Sequence, residues 1–125
     1  MLSKGNTGLI VVDVQGKLAT LMHESNALIE NITKLVKGAK ALDLPILWLE
    51  QNPERLGPTA EPIREVIEST HLPITKYTFD GCKEATLRSR WRTQKWIPGW
   101  FAVLNPTFAS IKPRFLCASP VIALN

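Results

Sequence analysis

GLIVVD at residues 8–13 and PILWLEQ at residues 45–51 decide how this chain is read. Each is a short apolar run that closes on polar residues, the pattern of a buried parallel strand whose carboxyl end presents Asp13 in one case and Glu50 and Gln51 in the other. Between them, residues 24–42 place Leu28, Ile32, Leu35, Val36 and Ala39 at helical spacing, with Gly38 the one weak helix former inside the stretch. Strand, helix and strand in this order make a βαβ unit, which closes right-handed. Outward from it, residues 52–60 carry Pro53, Gly57 and Pro58 and read as a loop, and residues 61–69 read as a short helix that tolerates Pro62 in its first turn. PITK at residues 73–76 is a third extended piece.

A chain of 125 residues suits one domain, although parallel α/β domains usually run longer. No apolar run reaches the roughly 18 residues that span a bilayer, and the start lacks the basic flank and apolar segment of a secretory leader, so a cytoplasmic protein away from membranes is expected. Cys82 and Cys117 are then expected as reduced thiols. The net charge of +4 is unevenly spread. Residues 1–82 hold eight Lys/Arg against ten Asp/Glu, whereas residues 83–125 hold seven against Glu84 alone, together with three of the four tryptophans and no clean period of 2 or 3.6. The character of the chain changes near Cys82.

In open parallel sheets ligands bind beyond the carboxyl ends of the strands, which is where Asp13, Glu50, Gln51 and Lys76 fall. Taken by itself, each has a plainer reading. An acid closing a strand often caps the next helix, and a lysine there is usually a solvated charge.

Three strings in fixed order sharpen the choice: LIVVDVQ at residues 9–15, PILWLEQNPERLGPT at residues 45–59 and PITKYTF at residues 73–79. Together they resemble the isochorismatase-like superfamily, in particular the isochorismatase domain-containing proteins, where an EQ-x-P-x-x-LGPT segment precedes a K-x-x-F segment. The resemblance implies a three-layer, Rossmann-like α/β fold, a parallel sheet with helices on both faces. It also implies hydrolysis of a small-molecule amide (C–N) or vinyl-ether bond without a cofactor. In the thiol members an Asp, a Lys and a Cys act together, the thiolate attacking the carbonyl while the Asp moves the proton. Carried over, the Asp is Asp13 and the Lys is Lys76; Gln15 and Gln51 are expected to line the same pocket.

The resemblance places the cysteine in a G-[IV]-E-x-H-[VI]-C-V segment, and the corresponding residues 102–111, AVLNPTFASI, contain none. Cys82 comes too early. Cys117 comes too late, and its FLCA setting lacks the Gly, Glu and His expected before it. The genetic code supplies an account. When the third base of each codon is read with the first two of the next, residues 97 onward are compatible with TWLVCGIEPHICVYQTA, which holds the missing segment. A shifted frame also accounts for the charge step and the tryptophans. On this reading residues 1–82 are the N-terminal part of an isochorismatase-like domain and residues 83–125 an aberrant tail that continues, in the other frame, past the present stop.

Two other function classes are set against the hydrolase. A non-catalytic fragment or interaction module would lack the later strands, leaving a bare parallel edge and uncovered apolar surface, and would be unstable or associate, as homo-oligomers. Nucleic-acid binding through Arg88, Arg90, Arg92 and Lys95 interleaved with Trp91 and Trp96 is explained better by the frame, so no nucleic acid is expected as partner. No metal is expected, because His23 and His71 are isolated and no D-x-H motif follows the first strand.

Overall fold

The computed structural model describes residues 3–21, 24–77, 89, 100–104 and 121–123. Its centre is a parallel sheet. Strand β1 (Thr7–Val12) lies beside β2 (Ile46–Gln51), with Leu9 opposite Ile46 and Val12 opposite Leu49, and β2 lies beside β3 (Ile74–Lys76), with Gln51 opposite Lys76. Helices α1 (Gly16–Leu21) and α2 (Ser25–Ala41) connect β1 to β2. The single turn α3 (Pro53–Leu56) and α4 (Glu61–Ile67) connect β2 to β3. Strand β4 (Trp100–Leu104) pairs parallel with β1 on its other side, and β5 (Val121–Ala123) pairs with β4, giving the order β3-β2-β1-β4-β5.

The strand pleat divides the core between two faces. Leu9, Val11, Ile46 and Trp48 point toward α2 and α4 and pack with Ile32, Val36 and Ala39 of the first helix and Ile63 and Ile67 of the second. The spacing of Ile32, Val36 and Ala39 is the apolar stripe of a helix lying on a sheet, which is why the period of residues 24–42 was legible. Ile10, Val12, Leu47 and Leu49 alternate to the other face and are equally buried. Asp43 and Leu44 close the helix-to-strand turn, Leu44 N–H donating to the Ala39 carbonyl at 2.9 Å.

Four points differ from the sequence reading. Residues 16–21 were not anticipated as a helix, and α3 falls inside what reads as an irregular loop. Both are too short to establish a period. A bare parallel edge is expected where later strands are missing; on the far side of β1 the WFAVL stretch of residues 100–104 supplies a paired strand backbone. The helix at residues 61–69 ends at Ile67. Most of the tail at 83–125, including Cys117, lies outside the described residues, as does Cys82.

Candidate active site

The chain runs from β1 outward to β2 and β3, then crosses back to β4 on the opposite side of β1. The strand order therefore reverses at the carboxyl end of β1, the position at which open α/β sheets form a crevice. Asp13 stands there. Its backbone has left the sheet: with φ at 52° it adopts the left-handed conformation, which Asp tolerates better than most residues. Its N–H still donates to the Leu49 carbonyl at 3.1 Å, so the side chain is held at the sheet edge, 9% exposed.

Lys76 closes β3, two strands away, and is fully buried. Its ammonium donates to Asp13 Oδ2 at 2.7 Å and to Gln51 Oε1 at 2.9 Å. Burial pushes the Asp13 carboxyl above its ordinary pKa; the hydrogen bond and charge of Lys76 act in the opposite direction without cancelling it. The second carboxylate oxygen, Oδ1, is buried and has no hydrogen-bond partner among the described residues. The pair thus combines a strengthened proton affinity with one uncommitted acceptor, the properties required of a general base.

The two glutamines serve differently. Gln51 contributes its amide oxygen to Lys76. Gln15 is fully buried and gives both ends of its amide to backbone: Oε1 accepts from Gln51 N–H at 2.6 Å, and Nε2 donates to the carbonyls of Gln51 at 3.0 Å and Gly57 at 2.7 Å. Gly57 belongs to a turn that approaches Gly16 so closely that a Cβ on Gly16 would lie 2.1 Å from the Leu56 carbonyl oxygen; Gly16 also has φ at +46°.

A second network was not foreseen. Glu50 Oε1 accepts from Thr59 N–H at 2.8 Å and from the Thr59 hydroxyl at 2.7 Å, and that hydroxyl accepts from Trp48 Nε1 at 2.7 Å. Glu50 is thereby committed to holding the loop. The available signal was the pairing of an acid and a threonine inside EQNPERLGPT, which a list of strand-end acids does not separate from chemistry. A groove of about 620 Å³ lined by Gly16, Ile29, Glu30, Thr59 and Glu61 opens beside the helices, and neither Asp13 nor Lys76 lines it. Among the described residues no group of His, Cys, Asp and Glu is placed to hold a metal ion.

An isochorismatase domain family model matches residues 7–96. No curated protein matches the chain. Among solved structures, the chain is similar to the MAR1 ribonuclease of Caenorhabditis elegans, at 24% identity and a TM-score of 0.68 over 83% of this chain and 53% of that one. It is also similar to the ycaC gene product of Escherichia coli, described as an octameric hydrolase of unknown specificity, at 16% identity and a TM-score of 0.68 over 82% and 51% of the two chains. An isochorismatase from Pseudomonas putida gives 15% identity and a TM-score of 0.68 over 82% and 57%. At these identities the likeness is one of fold. The chain spans about half the length of these proteins.

Proposed function

The chain belongs to the isochorismatase family, and on that premise we propose that it presents the Asp–Lys half of a hydrolase site for small molecules carrying an amide-type C–N or a vinyl-ether bond. The observation that carries this reading is the buried contact of 2.7 Å between Lys76 Nζ and Asp13 Oδ2 at the point where the strand order reverses. Asp13 takes the proton of the attacking group through Oδ1 and returns it to the leaving nitrogen. Lys76 keeps the carboxylate oriented and balances the charge. Gln51 fixes the ammonium from the other side.

Thiol chemistry needs a nucleophile within hydrogen-bond reach of that pair. The 125-residue form does not supply it from the FLCA setting of Cys117, and we place the missing cysteine in the shifted reading frame. Without that nucleophile, the chain in its present frame is read as a non-catalytic form of its family's fold. We also propose that it self-associates, as the octameric ycaC product does, and resides in the cytoplasm; no helix among the described residues is long and apolar enough to cross a membrane.

Thiol labelling tests this reading. Iodoacetamide near neutral pH should modify Cys82 and Cys117 slowly and equally, with no turnover of simple amides. The frame-restored chain should show one fast thiol, slowed about tenfold or more by Asp13→Ala or Lys76→Ala. Fast, selective labelling of Cys117 in the present chain, lost on Asp13→Ala, would make this form an enzyme and overturn the fragment reading. Sequencing of the coding DNA tests the frame directly: a stop codon in the shifted frame before codon 109 removes that account.

A further inference from the structure

At the end of β2 the sheet loses a partner strand. Val12 is the last residue of β1, opposite Leu49, and the left-handed turn at Asp13 takes the backbone away before it can pair with Gln51. The Gln51 N–H and C=O would be left unpaired inside the protein, which is costly. Gln15 replaces the departed strand. Its Oε1 and Nε2 engage the N–H and C=O of the same residue, at 2.6 Å and 3.0 Å, as a neighbouring peptide group would. The remaining Nε2 hydrogen reaches the Gly57 carbonyl at 2.7 Å.

A continuous relay follows: Gly57 carbonyl, Gln15 amide, Gln51 backbone, Gln51 side chain, Lys76 ammonium, Asp13 carboxylate. Lys76 and Gln15 are fully buried and Gln51 nearly so, so the links among these three cannot exchange partners for water without opening the fold; the bond to the half-buried Gly57 is the outermost one. With Gln51's backbone fixed on both sides, its Oε1 stays within 2.9 Å of Lys76, and the ammonium has two acceptors fixed in direction. We propose that Gln15 is a positioning residue for the Asp13–Lys76 pair, acting through Gln51 rather than lining the substrate pocket. This rests on the hydrolase reading for its purpose, but the geometry it asserts is independent of turnover.

The experiment reads the Lys76 ammonium directly in the full chain. A buried ammonium held by two acceptors exchanges its hydrogens slowly enough to appear in a 15N-edited NMR spectrum, where solvated lysines do not. Gln15→Met, of similar length without polar ends, should speed that exchange about five- to tenfold, as loss of one hydrogen-bonded restraint implies. Thr59→Val, which loosens the same loop through Glu50, serves as the control for general destabilisation and should leave it unchanged. If Gln15→Met does not fold, Gln15→Glu carries the test. At about pH 5 a carboxyl buried against two carbonyls is protonated, and its single O–H replaces one of the two bonds the amide donates, with Lys76 and Asp13 the ionisable groups at the far end of the relay. Exchange should lie close to that of the unsubstituted chain at that pH and exceed it about fivefold near pH 8. Unchanged exchange in Gln15→Met, or equal acceleration in Thr59→Val, overturns the proposal and leaves Gln15 as a loop clamp. Absence of turnover, by contrast, bears only on the hydrolase reading.

Discussion

Glu50 and Gln51 are neighbours on one strand, and the pleat sends them into two buried polar networks of opposite kind. Glu50 holds Thr59, which in turn receives Trp48, and each of those bonds ends on a partner that needs it. Gln51 leads to Lys76 and Asp13, and there the network stops at an oxygen without a partner. A satisfied buried network fixes one conformation, whereas an open one retains an acceptor for something else. The difference shows why an acid near a strand end is not by its position a candidate for chemistry: what separates Glu50 from Asp13 is its partners, two Thr59 donors on Glu50 Oε1 against a lysine on Asp13 Oδ2 and nothing on Oδ1.

The comparison breaks most readily at Lys76. Lys76→Ala leaves Asp13 buried without its counter-charge, which should cost about 3–5 kcal/mol of unfolding free energy in urea titration at neutral pH. Lys76→Met combined with Asp13→Asn should recover most of the loss, because the penalty belongs to the unpaired charge rather than to missing bulk. A loss below about 1 kcal/mol in the single variant would place the pair among weak surface contacts. Gly16→Ala comes next, at about 2–3 kcal/mol, since the new Cβ meets the Leu56 carbonyl in a backbone conformation unfavourable to Ala. It should also disturb Gln15, whose amide is tied to the adjacent Gly57.

Much of this was legible beforehand, for stated physical reasons. Asp13 and Lys76 are 63 positions apart in sequence, yet both close a parallel strand, and parallel strands bring their carboxyl ends together. Leu9 to Val12 declared a strand as a short, β-branched apolar run, and Ile32, Val36 and Ala39 declared a helix by their spacing. The sequence reads Gln15 as lining the pocket, and it offers no way to see the backbone bonds of that side chain, because a glutamine after a strand has the same letter whether it faces a ligand or replaces a missing peptide group. Nor could α1 and α3 be assigned, whose six and four residues follow local turns at Gly16 and Asn52 more than any repeat.

The closed network yields a smaller effect. Thr59→Val preserves shape, removes one of two donors to Glu50 and leaves Trp48 Nε1 without its acceptor, so about 1–2 kcal/mol should be lost. The titration of Asp13 should not move, because the Thr59 hydroxyl bonds only Glu50 and Trp48 among the described residues, and the backbone bridge between Thr59 and Gln15 is kept on substitution. A shifted Asp13 titration in this variant would mean the networks are one.

The smallest effect is the pH dependence carried by Asp13, and it has an unusual sign for a carboxylate paired with lysine. Its folded pKa lies above the ordinary value near 3.8 because burial outweighs Lys76. Between those two values the folded chain binds more protons than the unfolded chain, so this group's contribution to stability falls as pH rises through the window, and the penalty is fully present above the folded pKa. The unfolding free energy of the chain minus that of Asp13→Asn should therefore decrease with rising pH over that interval and level off beyond it. In the Lys76→Ala background the same decline should extend to higher pH, because the influence holding the pKa down has been removed. Thr59→Val should leave the curve where it is. A difference that rises with pH instead would mean that Lys76 outweighs burial, and the Asp13 carboxylate would then be a charge held for structure, with little affinity left for a substrate's proton.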